Sequence, residues 1–214
     1  IVSIIFSFII FALFAYYNSL QLQGFSPRVY NRALADTSIV LLGIALSLGM
    51  LSRLYEIWDK FLTYRKELGI IAFFAGASHV YLSMFPLARS GPWGFYNYKP
   101  LSAYPGLAGL VIMFFLFLIS AKFIEKALGT KSWWKLQYVG GRLAGLAVLI
   151  HLIVLRGSTW PQIIQSSTST PPTHLITGSF AIFVLVSRIL ERLHKKLSKW
   201  LIPALAIAII ILII

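Results

Sequence analysis

There is no cysteine in this 214-residue chain. That excludes disulfides, thiolate metal sites, iron–sulfur clusters and covalently attached c-type haem, so any metal centre must rest on His, Met, Tyr or carboxylates. Acidic residues are nearly as scarce, with six Asp and Glu against nineteen Lys and Arg. Charged residues make up 12% of the chain, about half the share of one quarter usual in soluble domains. With 58% hydrophobic residues and a mean hydropathy of +0.82, a water-soluble core is ruled out. A net charge of +13 would suggest nucleic acid in a soluble protein. Here the cations sit in short breaks between apolar runs, where they read as topology signals and contacts to membrane lipids. No G-x-G-x-x-G fingerprint occurs either, so a nicotinamide-binding domain would have to belong to a partner or lie beyond Ile214.

What is present is a series of apolar runs of spanning length, roughly 17 to 25 residues. They cover Val2–Leu20, Thr37–Leu54, Leu68–Leu87, Leu101–Phe123, Tyr138–Leu155 and His174–Leu190. The fold class is therefore all-α, a polytopic bundle of six transmembrane helices. A further run, Trp200–Ile214, is about 22 Å long at 1.5 Å per residue, and reads as a truncated seventh span. The first run has no basic leader and no A-x-A-like cleavage site, so it is kept as a helix rather than a signal peptide. The chain starts at Ile1 rather than Met and stops inside an apolar run, which suggests a longer polypeptide. One membrane domain over 1–199 and an additional C-terminal apolar helix over 200–214 account for the whole.

Alternate connections carry thirteen basic residues, Arg53 to Lys66, Lys122 to Lys135 and Arg188 to Lys199, against five in the others, Arg28, Arg32, Arg89, Lys99 and Arg156. The positive-inside rule then predicts a cytoplasmic N-terminus in a plasma or inner membrane. Gly157–Thr173, uncharged and rich in Ser, Thr and Pro, becomes an external loop. Trp93, Tyr96, Tyr98, Trp133, Trp134, Trp160 and Trp200 fall at span ends, where interfacial aromatics belong. The carboxylates Asp36, Glu56, Asp59, Glu67, Glu125 and Glu191 all read as lying at helix ends, leaving little for a cation-coupled transporter.

Two histidines fall inside spans. His79 and His151 lie at nearly one depth on the third and fifth helices, which run in the same direction. Intramembrane ionisable residues are costly and face the bundle interior, and two imidazoles at one level are what bis-histidine ligation of one b-type haem requires. The bland alternative is a pair of imidazoles hydrogen-bonded across helices. Small residues line both faces: Ala72, Ala75, Gly76 and Ser83 around His79, and Gly140, Gly141, Ala144 and Ala147 before His151. Room for a macrocycle and close helix packing explain them equally well. His174, at the external start of the sixth helix, is a substitute ligand, a quinone contact or a wetted interfacial residue. His194 belongs to a basic, lipid-facing stretch. Met84 and Met113 read as packing residues.

The stretch Arg65-Lys66-Glu67-Leu68-Gly69-Ile70-Ile71-Ala72-Phe73-Phe74, leading to His79 and Tyr81, resembles a motif of the ferric-reductase-like transmembrane domain family. The closest resemblance is to the haem-binding membrane subunit of the bacterial methionine-sulfoxide reductase system. Leu128-Gly129-Thr130-Lys131-Ser132-Trp133-Trp134-Lys135-Leu136, followed by Tyr138 to His151, is similar to that family's approach to its fifth helix. Relatives with two haems carry a second, inner histidine pair; here those positions fall at Arg65 or Lys66 and at Tyr138. The resemblance therefore implies one haem near the external face, an electron donor on the cytoplasmic side, and an FMN or quinone bridging the inner gap. Arg156, Arg89 and Lys99 become candidates for the haem propionates, and Arg142 and Tyr138 for the inner donor, against a bland reading of lipid-headgroup snorkelling. The implied function is transmembrane electron transfer to an external acceptor such as a sulfoxide reductase, ferric iron or oxygen. The competing reading is a haem-free assembly or scaffold subunit.

Overall fold

The structure, a computed structural model, describes residues 1–88, 100–165 and 170–213. Among them every regular element is helical: α1 (Val2–Gln21), α2 (Pro27–Leu54), α3 (Arg65–Met84), α4 (Pro100–Ile119), α5 (Lys122–Leu128), α6 (Thr130–Arg156), α7 (Trp160–Gln165), α8 (Thr173–Leu193) and α9 (Lys195–Ile213). Six helical segments are long and apolar enough to cross a membrane, as the runs of the sequence require. Large apolar side chains such as Phe8, Phe74 and Phe115 stand on the outer surface, where lipid takes the place of water.

The bounds depart from the apolar runs where local chemistry overrides hydropathy. α2 begins ten residues before Thr37, because Pro27 at the first helical position is preset for helix and Ser26 ahead of it is extended. Gln23 and Gly24, both with positive φ, make the turn from α1. The segment Glu56–Tyr64 is a 3₁₀ helix delivering the chain into α3. The expected fourth span stops at Ile119 rather than Phe123, and Gly129, with φ of +73°, turns the short α5 into α6. α6 starts at Thr130, so Trp133 and Trp134 are helical. The described part of the expected external loop forms a 3₁₀ turn, Gly157–Thr159, and α7.

The 28-residue α2 is the hub. Its Leu41, Leu42, Ala45, Leu46 and Leu48 form one core with Leu68, Ala72 and Phe73 of α3, Met113 of α4, Ala144 of α6 and Val184 of α8. Inside a bilayer such contacts stabilise by close packing and interhelical hydrogen bonds, since lipid is as apolar as leucine. Ser38 on α2 donates to the Ala72 carbonyl at 2.8 Å. α9 is attached by a related device. Pro203 inside it cannot donate to the Lys199 carbonyl, and the Tyr55 hydroxyl supplies the missing donor at 2.6 Å. Ile202 of α9 packs on Met50 and Leu54 of α2.

Two readings of charge are corrected. Asp36 is not at a helix end: it is the tenth residue of α2 and 5% exposed. The early start of α2, invisible in a hydropathy run that begins at Thr37, is what carries it inside. Arg188, counted with the basic connections, is 3% exposed within α8, because the residues around it pack against α2 rather than continuing into a solvated loop.

Candidate functional site

His79 is the fifteenth residue of α3 and His151 the twenty-second of α6, both toward the end of the bundle opposite the basic connections. Each imidazole is held by the helix packed beside it. His79 Nδ1 lies 3.0 Å from the Asn31 carbonyl and 2.9 Å from Asn31 Oδ1, on α2. The Asn31 amide in turn donates to Ser83 Oγ at 3.0 Å, one helical turn past His79 on α3. His151 Nδ1 lies 2.6 Å from the Ser102 carbonyl on α4. A carbonyl only accepts, so each Nδ1 is the donor. The tautomer this selects carries a lone pair on Nε2, and neither Nε2 has a hydrogen-bond partner among the described residues. α3 packs mainly on α2, and α6 on α4, rather than on each other.

This is the outer-shell arrangement usual for ligating histidines, in which a carbonyl bond at one nitrogen fixes the ring and leaves the other for the metal. No group of three or more metal-ligating side chains occurs among the described residues, and a haem needs only two axial donors from the protein. The donor set therefore fits a haem. The bland reading is partly realised, since both imidazoles do bridge helices, but through Nδ1 to neighbours and not to each other.

The small residues divide against the macrocycle. A Cβ on Gly76 would meet Ser38 Oγ at 3.0 Å, one on Gly140 would meet Leu116 at 2.7 Å, and one on Gly141 would meet Leu46 at 3.2 Å. These glycines serve helix–helix contact. The exception is Gly106 on α4, which the sequence did not single out: a Cβ there would lie 2.7 Å from His151 Nδ1 and 3.0 Å from its Cγ. Only a glycine lets the His151 ring seat against α4. Asn31 and Ser102 were likewise missed: Ser102 accepts through its backbone carbonyl, which residue type does not mark, and Asn31 lies ahead of the apolar run that begins at Thr37.

At the basic end, Tyr138 is ringed by cations. The Arg142 guanidinium stacks on its ring at 3.3 Å and donates to its carbonyl at 2.9 Å, one turn away. Arg188 and Arg53 approach the same ring at 5.8 and 5.9 Å. Beside them a cavity of about 230 Å³ opens among α2, α3, α4 and α6, lined by Leu46, Arg65, Met113, Phe117, Trp134 and Gln137. Arg65 faces the Trp134 indole at 5.5 Å.

At the opposite end, His174 stands in the field of Arg156 and Arg32, and its Nε2 is buried with no hydrogen-bond partner among the described residues. Trp160 is not merely interfacial, for its ring covers Gly178 of α8, whose added Cβ would meet it at 2.6 Å. Asp36 accepts from Asn18 Nδ2 at 3.1 Å and from the Thr177 hydroxyl at 3.2 Å, tying α1, α2 and α8 together. A cation site needs a cage of oxygen acceptors, whereas donors surround this carboxylate. Arg89, Lys99, Trp93, Tyr96 and Tyr98 lie outside the described residues.

Residues 33–148 match the family described as ferric reductase like transmembrane component. The matched stretch is just over half of the chain, from α2 through His79 and well into α6, and stops three residues short of His151. The chain belongs to that family and is an integral membrane protein.

Proposed function

We propose that the chain carries single electrons across the membrane through one b-type haem held between His79 and His151. The donor is a flavin or quinol at the basic, cytoplasmic end, and the acceptor is external: a sulfoxide reductase of the methionine-sulfoxide system, ferric iron or oxygen. Family membership supports transmembrane electron transfer. The observation that carries the haem is the pairing of two Nδ1 anchors with two Nε2 atoms that have no hydrogen-bond partner among the described residues, on helices that pack on other neighbours. A bound haem b supplies a one-electron ferric/ferrous couple.

The chain's own residues hold and insulate. Asn31 and the Ser102 carbonyl fix the tautomer and the aim of the two rings, and their hydrogen bonds raise the basicity of the ligating nitrogens. Arg156, with Arg32 and His174 beside it, supplies positive charge for propionates at the external end. The cavity beside Trp134 and Gln137 offers an apolar, aromatic slot for a flavin or quinone ring, with Arg65 at its wall. Arg142 and Tyr138, stacked on each other, stand at the same end as candidates to contact the donor.

A reduced-minus-oxidised absorption spectrum of the purified protein tests the reading. A b-type band is expected in the native protein and not in a His79→Ala, His151→Ala double variant. No band in the native protein, or an unchanged band in the variant, leaves the haem-free assembly subunit as the better account.

A further inference from the structure

We infer that the arginines around Tyr138 form a binding site for a phosphate group at the basic end of the bundle. The inference does not depend on haem. Arg53 of α2, Arg65 of α3, Arg142 of α6 and Arg188 of α8 come from four separate helices and converge on one ring or on each other. Arg192 adds its field to that of Arg142. Among the described residues one carboxylate forms ion pairs with them. Glu191 is shared, at 2.7 Å from Arg53 Nε and 3.1 Å from Arg188 Nη1. Among the described residues, neither Arg65 nor Arg142 pairs with a carboxylate.

Lipid-headgroup snorkelling explains a single arginine at a helix end, but not Arg188. Its side chain is 2% exposed, and its Nε and Nη2 are buried with no hydrogen-bond partner among the described residues. A buried guanidinium with two unmet donors is costly unless an acceptor reaches it. The Nη2 arm also has a direction. A Cβ placed on Gly49 of α2 would lie 3.4 Å from Arg65 Nη1 and 3.8 Å from Arg188 Nη2. Two guanidinia from different helices thus meet over Gly49, where α2 has no side chain. A tetrahedral oxyanion is the complement of such a site: several acceptor oxygens, more than one negative charge, and bidentate geometry for planar forks. One carboxylate meets only part of this donor set, as Glu191 does for Arg53 and Arg188. Phosphate could arrive as a free phosphate or phosphomonoester from the aqueous side, or as the headgroup of an anionic lipid.

The test uses the full chain in nanodiscs, with unfolding followed by tryptophan fluorescence. Inorganic phosphate added to phosphatidylcholine discs, at ionic strength matched with chloride, is expected to raise Tm if the group comes from water. Discs containing phosphatidic acid are expected to raise it if the group is a lipid headgroup. Arg188→Lys keeps the charge but loses the fork, and should raise the half-saturating phosphate or lipid concentration by about ten- to a hundredfold, the worth of one charge-assisted hydrogen bond. Since Arg188 variants can fail to fold, Gly49→Asp provides a second route. It places a carboxylate between Arg65 and Arg188, and should raise Tm without added anion and abolish the response. No rise with either probe in the native protein, or an undiminished response in both variants, overturns the site.

Discussion

Replacing Gly106 by alanine tests the histidine geometry most sharply. The new Cβ would stand 2.7 Å from His151 Nδ1, 3.0 Å from Cγ and 3.1 Å from Cε1. Ordinary contacts lie near ~3.5 Å, so the imidazole must retreat by roughly 0.5–0.8 Å. The bond from Nδ1 to the Ser102 carbonyl, now 2.6 Å, would lengthen to the outer limit of about 3.2 Å for a good N–H···O bond. Overpacking of this kind costs about 1–3 kcal/mol, which outweighs the ~1 kcal/mol that a glycine-to-alanine change gains in a helix. Gly69→Ala in α3 is the control, since nothing lies within 4 Å of its added Cβ. It should stabilise where Gly106→Ala destabilises. Loss of an outer-shell anchor typically weakens metal binding by 10- to 100-fold, so the haem-to-protein ratio, read from the haemochrome spectrum, should fall in Gly106→Ala alone. If Gly106→Ala raises Tm like Gly69→Ala and keeps native haem content, His151 is not seated by α4 and the site as described is wrong.

Asn31→Ala removes one of two acceptors at His79 Nδ1 and leaves the backbone carbonyl at 3.0 Å. Haem should be retained with an affinity lower by about tenfold, and a complete loss on titration would show that the carbonyl alone does not hold the ring. Asp36→Ala strips the acceptor from Asn18 and Thr177 and should destabilise by about 2–4 kcal/mol; a native Tm would mean these donors find other partners. Gly178→Ala drives a methyl into the Trp160 ring at 2.6 Å and should displace the α7 segment, seen as a changed accessibility of the Trp160 indole to an aqueous quencher, with the haem spectrum unaltered.

The number, order and approximate extent of the spans were legible in the sequence because spanning a bilayer demands long apolar runs. So was the half-buried placement of His79 and His151 between helices, since an imidazole in such a run has no surface role. What residue type could not reveal was partnership through the backbone. The Asn31 and Ser102 carbonyls belong to residues with nothing unusual about them. Gly106 looks like any helical glycine until the ring beside it is placed. The small residues around both histidines invited a macrocycle, and the structure gives most of those glycines to helix contact instead. Arg188 was hidden for the opposite reason: in a count of loop charges it looks like its neighbours Arg192 and Lys196, and only burial separates it from them. Asp36 escaped because Pro27 starts α2 before its apolar run does.

The way each histidine is anchored bears on how the protein is put together during synthesis. His79 is oriented by α2, which precedes it in the chain, and His151 by α4, which also precedes it. Each histidine is therefore aimed within its own half, α1–α3 or α4–α6, by a helix made before it. On the reading proposed above, a haem between them would join these halves around a flat plate. Two separately translated fragments divided between α3 and α4 would then be expected to reassemble, and to do so better with haem present.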